Sequence, residues 1–410
     1  MEGTGDAAPA IVLDVSGEVV IVNDSSDRAF RGMEIFGKST QNTASGEASP
    51  DHPVEIESAG ANGMIRVNVF GANIINFPEG EAKNNGITYT SSKGAVTVVG
   101  TTGSSSSQTD TGILAYILPK LKGVFYLSGT TQNVNVNIKK VCADGTIKYF
   151  GGGKITLDGD EREVKVYIKV DSNKSVNETV RPMVNAGDTP LPWEPFKSRP
   201  ELQISTPDGI PGIPVLSDEN YTDSNGQKWV CDTLDLAQGI RLNRLKKASL
   251  ANRPWTKSSN NRFYTPLHDA SKNIGHCLVL CSCYQGTDAG YQLSDNNQIS
   301  LYKDSGNTYP KENWLYIRDD TVSTPEEMQQ KMNQLNAEII YITANPTKTI
   351  LSQEIMDAYK SLHAHYPVTT ITNDAGTGMK VKYVADTKNF ILKMFEEANK
   401  MIVNTQRQLL

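Results

Sequence analysis

Cysteine is scarce in this chain of 410 residues: there are five, at positions 142, 231, 277, 281 and 283, an odd number scattered over a long sequence. That excludes a disulfide framework of the kind that staples small secreted domains. Basic residues are not in excess either, with 40 Lys and Arg against 46 Asp and Glu and a net charge of −6, so no basic patch marks a nucleic-acid partner. Nothing approaches the roughly 18 consecutive apolar residues of a membrane helix. The opening MEGTGDAAPA is acidic and small, where a secretion signal would be basic and then apolar. The expectation is a protein made in the cytosol without a signal peptide, with no nucleic-acid partner and no membrane insertion.

Catalytic signatures are missing as well. There is no Gly-x-Ser-x-Gly elbow, no phosphate-cradling glycine loop and no HExxH helix. Carboxylate pairs suited to glycoside hydrolysis always arise among 46 acidic residues and so carry little weight. The sharpest thiol cluster, HCLVLCSC, puts Cys277, Cys281 and Cys283 on one face of a strand, but they alternate with Val279 as core residues do and not as the CxxC units of a zinc site. We therefore expect no catalytic residue, no cofactor and no metal.

What the sequence has in abundance is period-two alternation. From Asn73 onward, strand candidates follow one another at 72–77, 86–91, 94–99, 112–118, 123–129, 133–141, 146–150, 153–157, 163–170 and 178–184. In NVNVNIKKV, Val134, Val136 and Ile138 share a face, and in EVKVYIKV, Val164, Val166, Ile168 and Val170 do. Asn85-Gly86, Asp144-Gly145 and Asp158-Gly159 supply tight turns between them. Strands at this spacing imply a β-sandwich of jelly-roll type. It closes at RPMVNAGDTPLPWEPF, where Pro190, Pro192 and Pro195 forbid a helix or central strand and lock Trp193 into a rigid seam.

Before the sandwich, residues 11 to 66 read as short strands broken by a polar Ser/Thr/Pro stretch, too poor in apolar residues to stand alone. After Pro200 come LQIST, IPVL and a hairpin around Asp223-Ser-Asn-Gly226, then GIRLNRL; residues 249 to 265 read as polar and irregular. HCLVLCSCY and NWLYIRD read as strands, and Thr324-Pro-Glu-Glu327 starts a helix with an N-cap, a first-turn proline and a capping-box glutamate. A second helix begins near Ser352, and VTTIT and MKVKYV read as a hairpin across NDAGTG. The predicted architecture is mainly β: a jelly-roll-like β-sandwich followed by a smaller β and α+β region and a C-terminal helix. Its modules are an attachment segment (1–66), the sandwich (67–197), a β-hairpin module (198–248), an α+β domain (249–384) and the helix (385–410). Along that helix Ile391, Phe395, Ala398, Ile402, Thr405 and Leu409 recur in steps of three and four, the spacing of a coiled-coil seam or of an amphipathic helix packed on its own chain.

Aromatic residues point to binding. Tyr149, Tyr167 and Trp193 lie in or beside the sandwich and are the candidate ligand contacts, with Tyr167 on the solvated face opposite the valine row, while the proline flanks of Trp193 favour a core plug over a platform.

Several stretches resemble tail-associated structural proteins of tailed bacteriophages and prophages of Gram-positive gut bacteria. They are FRGMEIFGKSTQ, SPDHPVEIESAG, RPMVNAGDTPLPWEPF, ISTPDGIPGIPV, NYTDSNGQKWVCDTLDLAQG and LHAHYPVTTITNDAGTGMKVKYVADTKNFI. The resemblance implies a non-enzymatic virion component of a fibre or baseplate, with other tail proteins as partners and a carbohydrate-binding-type sandwich facing host-surface polysaccharide. It also implies a homotrimer, for which the terminal helix supplies one possible seam. A virion-associated glycoside hydrolase or depolymerase and a purely structural spacer are the alternatives.

Overall fold

The protein is described from a computed structural model covering residues 11–12, 19–22, 30, 32–41, 48–109, 114–118, 121–223, 225–270, 276–277, 279–303, 313–365 and 368–382. It is mainly β, with two helices among the described residues. The expected C-terminal helix, with Ile391, Phe395, Ala398, Ile402 and Leu409, lies outside them.

Residues 70 to 186 build a β-sandwich from three antiparallel sheets. One runs Ser175–Val180, Ala95–Thr101, Ile87–Ser92, Gly80–Asn84; a second runs Gly153–Asp158, Lys122–Ser128, Met183–Ala186. The third centres on Glu163–Val170, with Asn135–Val141 and Ile147–Phe150 on one side and Ser107–Gln108 and Tyr116–Ile117 on the other. The alternating rows Val134, Val136, Ile138 and Val164, Val166, Ile168, Val170 point into one core with Tyr89, Phe125 and Leu157. Residues 72 to 77, expected as a strand, pair with no sheet; Ile74, Ile75 and Phe77 are buried from an irregular segment. Asn73 accounts for this: its side-chain Oδ1 accepts the backbone N–H of Ile75 at 3.2 Å and of Val184 at 3.4 Å, so it takes up donors that a ladder would use.

The proline-rich exit from the sandwich is held by side-chain amides. Asn73 Nδ2 donates to the carbonyl of Glu194 at 3.1 Å, and Asn185 Nδ2 donates to that of Thr189 at 2.9 Å. Both asparagines are buried and supply donors where the prolines cannot. Entry and exit then meet, because the Gly71 N–H donates to the Lys197 carbonyl at 2.9 Å. The sandwich is thus an insertion whose two ends lie side by side.

The rest of the chain is interwoven, which corrects the expected modules. Gly32–Phe36 lies between Thr233–Asp235 and Gly378–Lys382. Gly63–Phe70 lies between Leu202–Thr206 and Val368–Asn373, and the latter also pairs with Val19–Val22. The described strands of 1–66 are therefore not a separate unit, and neither is 198–248; with 368–382 they bury one core that includes Ile35, Ile65, Ile204, Leu234, Ile371 and Met379. Each piece offers only a few short strands, too little to bury an apolar face alone. Nor do VTTIT and MKVKYV pair as a hairpin: Val368–Asn373 and Gly378–Lys382 enter different sheets, so NDAGTG carries the chain across the core. Helix Gln353–Ser361 covers one end of this core with Tyr359.

A third core joins Ile240–Ser249, Glu338–Ile350 and Leu280–Cys281 to a sheet running Thr256–Lys257, Arg262–Pro266, Asn313–Arg318, Gln298–Lys303, His276–Cys277. Thr256–Lys257 and all but the last residue of Arg262–Pro266 fall within 249–265, which we expected to be irregular. HCLVLCSCY is likewise two fragments, His276–Cys277 pairing with Gln298–Lys303 and Leu280–Cys281 pairing with Glu338–Ile350. Its β-branched and thiol residues suit a strand locally, but the segment changes sheets at its middle. Helix Pro325–Gln334 begins as its sequence predicts: Thr324 Oγ1 accepts the Glu327 N–H and Glu327 Oε2 accepts the Thr324 N–H, both at 3.2 Å. Met328 and Met332 pack beneath it.

Candidate binding surface

Alternation along the third core's sheet puts Phe263, Thr265, Ile299, Leu301, Leu315 and Ile317 inside. The opposite parity carries rings. Tyr264 lies directly across from Tyr316, Tyr302 from Trp314, and Trp314 from Pro266. Tyr264 meets Trp314 edge-on with centroids 5.2 Å apart and lies 5.3 Å from the Tyr316 ring. Tyr302 is 6.1 Å from Tyr316. Tyr291, on the turn ahead of Gln298–Lys303, extends the row, its ring 4.7 Å from Tyr302 and 6.4 Å from Tyr316. These spacings are those of paired aromatic rings in cores and interfaces. Four of the five rings are half-buried and Tyr291 is exposed.

The turn that positions Tyr291 is tied down from two sides. The Gly290 N–H donates to the buried Ser300 Oγ at 2.9 Å, and the Arg262 guanidinium donates to the Tyr291 carbonyl. Arg262 also donates to Ser259 O at 3.2 Å. Opposite it in register, Arg318 is paired with Asp320 through two contacts of 3.2 Å. The face is a continuous patch of five rings bordered at one end by two guanidiniums.

The three aromatic residues proposed from sequence are not brought together. Tyr149 is 61% exposed on the edge strand Ile147–Phe150, across from Lys139. Tyr167 is only 4% exposed, contrary to expectation. It does point away from the valine row, on the same sheet face as Tyr149, but its strand is central and flanked on both sides. An outward side chain on a central strand is covered by its neighbours when those are long. Trp193 is half-buried at the seam, packed with Ala72 and Met183 of the sandwich side and Val368 of the woven core, with the Arg181 guanidinium 5.5 Å from its ring. That is the position of a plug.

The five-ring face had a sequence signal. In NWLYIRD, residues 314 to 317 are aromatic on one parity and aliphatic on the other, so a strand that buries Leu315 and Ile317 carries Trp314 and Tyr316 on its opposite face. What a single segment does not reveal is that Tyr264, Tyr291 and Tyr302 join it.

Two other clusters have internal partners. Asp158, Asp160 and Glu161 lie close enough to share an ion, but the Lys140 ammonium sits 2.7 Å from Asp158 and 2.6 Å from Glu161. Cys281 and Cys283 are buried free thiols of the third core, and burial pushes the Cys281 thiol well up. No protein-family model matches the chain, and searches of curated proteins and of solved structures find no match either.

Proposed function

We propose that the protein is a non-enzymatic structural subunit of a bacteriophage tail, part of a fibre or baseplate, whose five-ring face contacts host-surface glycan. It would be made in the host cytoplasm, assemble with other tail proteins and work as a homotrimer in the virion. The motifs quoted above support the tail assignment. The observation that carries the glycan reading is the row Tyr264, Trp314, Tyr316, Tyr302 and Tyr291 on one sheet face. A pyranose presents a face of C–H groups that loses apolar surface to water when it lies on an aromatic ring, while its rim hydroxyls remain free for polar partners. Arg262, Gln292 and Gln298 supply such partners around the rings.

Titrating the full chain with purified host wall polysaccharide tests this. Binding is expected, weakened about tenfold or more when Trp314 and Tyr316 are both replaced by Ala, since two stacked rings are worth on the order of 1–3 kcal/mol. No new reducing ends should appear during the incubation. Undiminished binding by the double variant would remove the rings from the site, and accumulating reducing ends would turn the reading toward a hydrolase.

A further inference from the structure

A large cavity of the protein shares no residue with the ring face. It is an open groove of about 950 Å³ where turns distant in sequence converge: Ala59 to Asn62, Pro207-Asp208, the Asp223–Trp229 hairpin and Asp374 to Gly376. Two glycines allow the turns to close on one another. Gly60 and Gly209 hold φ of +73° and +69°, and a Cβ there would lie 2.7 Å from Thr206 Oγ1 and 2.8 Å from Ser58 Cβ.

One wall is the outer face of a two-stranded ribbon, Ser39–Gln41 against Ile56–Ser58, in which Thr40 opposes Glu57. Alternation puts Lys38, Thr40, Glu55 and Glu57 on this face, while Ser39 and Ile56 are buried behind it. Trp229 forms part of the facing wall, half-buried, its indole N–H donating to Asp223 Oδ2 at 2.9 Å.

Charge is unbalanced here: five carboxylates line the groove against two ammonium groups. Both cations are already paired, Lys38 with Asp223 at 3.4 Å and Lys247 with Glu338 at 2.7 Å, and Asp374 is paired with Arg66 at 3.0 Å. Glu55, Glu57 and Asp208 are left facing the groove, exposed and without a cation among the described residues. They are spread along it: among the described residues the one group of three ligands close enough to hold a single ion is at Asp158, Asp160 and Glu161, elsewhere in the molecule.

A point cation therefore does not answer this charge, whereas a chain bearing several cations does. We infer that the groove receives an extended basic segment of another protein, its Lys or Arg side chains pairing with Glu55, Glu57 and Asp208 and its aliphatic stems lying along Trp229. Long cationic side chains cover apolar surface with their stems while the head groups reach carboxylates, which matches a wall made of an indole beside separated acids. A basic protein segment is favoured over a neutral sugar because the groups the groove leaves over are the carboxylates of Glu55, Glu57 and Asp208, which cations neutralise and hydroxyls do not.

The experiment uses the full chain and a labelled octapeptide alternating lysine and alanine, followed by fluorescence anisotropy. The expected result is saturable binding that weakens about tenfold or more when Glu55→Gln, Glu57→Gln and Asp208→Asn are combined, and again when salt is raised from about 0.05 to 0.3 M. The single reversal Glu57→Lys, on an exposed site, should weaken it in the same direction. The Trp314→Ala, Tyr316→Ala variant should bind the peptide unchanged, which separates this groove from the ring face. The inference is overturned if the glutamate–alanine octapeptide binds as well, if the neutralised variant binds like the parent, or if wall polysaccharide displaces the lysine peptide.

Discussion

Two buried carboxylates respond to burial in opposite ways, and the reason lies in their donors. Asp319 is fully buried, and burial alone would raise its pKa. Lys331 Nζ at 2.5 Å, Thr321 Oγ1 at 2.6 Å and Tyr284 Oη at 2.7 Å all donate to it and hold it below the usual carboxylate range. Asp232 accepts the Arg244 and Leu245 N–H groups at 2.7 and 3.0 Å, with the Arg241 guanidinium at 3.6 Å. Those two N–H groups flank the register shift between Ile240–Ser249 and Glu338–Ile350, so Asp232 satisfies donors that the irregular ladder leaves over. Burial still dominates and lifts its pKa from 3.8 to about 6. The signs follow by linkage. Asp319, depressed in the folded state, contributes stability that is present above the ordinary carboxylate range and lost as pH falls through its folded pKa. Asp232, raised in the folded state, contributes stability that is full at acid pH and lost as pH rises from about 4 to about 6, on the order of 2–3 kcal/mol. Urea unfolding between pH 3 and 8 should show Asp232→Asn abolishing that decline and Asp319→Asn abolishing the loss at acid pH; an unchanged profile in either variant refutes its assignment. Neither environment was legible in the sequence, because the donors to Asp319 come from residues 284, 321 and 331 and are assembled only by folding.

At the scale of elements, the proline seam shows what local chemistry can specify. Three prolines make an extended, donor-poor segment, and Trp193 is positioned where the sandwich meets the woven core at Val368. Its ring is half-buried and its Nε1, sheltered from solvent, has no hydrogen-bond partner among the described residues. Replacing Trp193 by Ala should therefore cost about 2 kcal/mol, below the 3–5 kcal/mol of a fully buried ring. Thermal unfolding measures this, and an unchanged midpoint would refute the plug. The helix caps at Thr324 and Ser352 were equally readable, since an N-cap binds an N–H two or three residues away. NDAGTG was readable as a turn and misread as a hairpin. Asn373 Oδ1 accepts from Thr377 Oγ1 at 3.0 Å and from the Ala375 N–H at 3.3 Å, which shapes the turn without choosing partners for the strands it joins.

For the whole molecule, the proposed trimer makes the terminal segment its seam. The full chain should scatter light as a trimer and a chain ending at residue 384 as a monomer; equal masses would remove residues 385–410 from the assembly. The sandwich was largely visible in the sequence, because its longer strands carry their own alternation and their partners lie within about a hundred residues. The woven core was not: Gly32–Phe36 pairs with a strand more than 300 residues away, and period two says which face is buried but not against what. The binding surfaces follow the same division. Residue order alone specified strands, turns, caps and the rigid seam, all of which rest on contacts within a few residues. Which rings share a face, which carboxylates line a groove and which buried acid stays charged were decided by the tertiary structure, because each depends on side chains that only strand pairing and layer packing bring within reach.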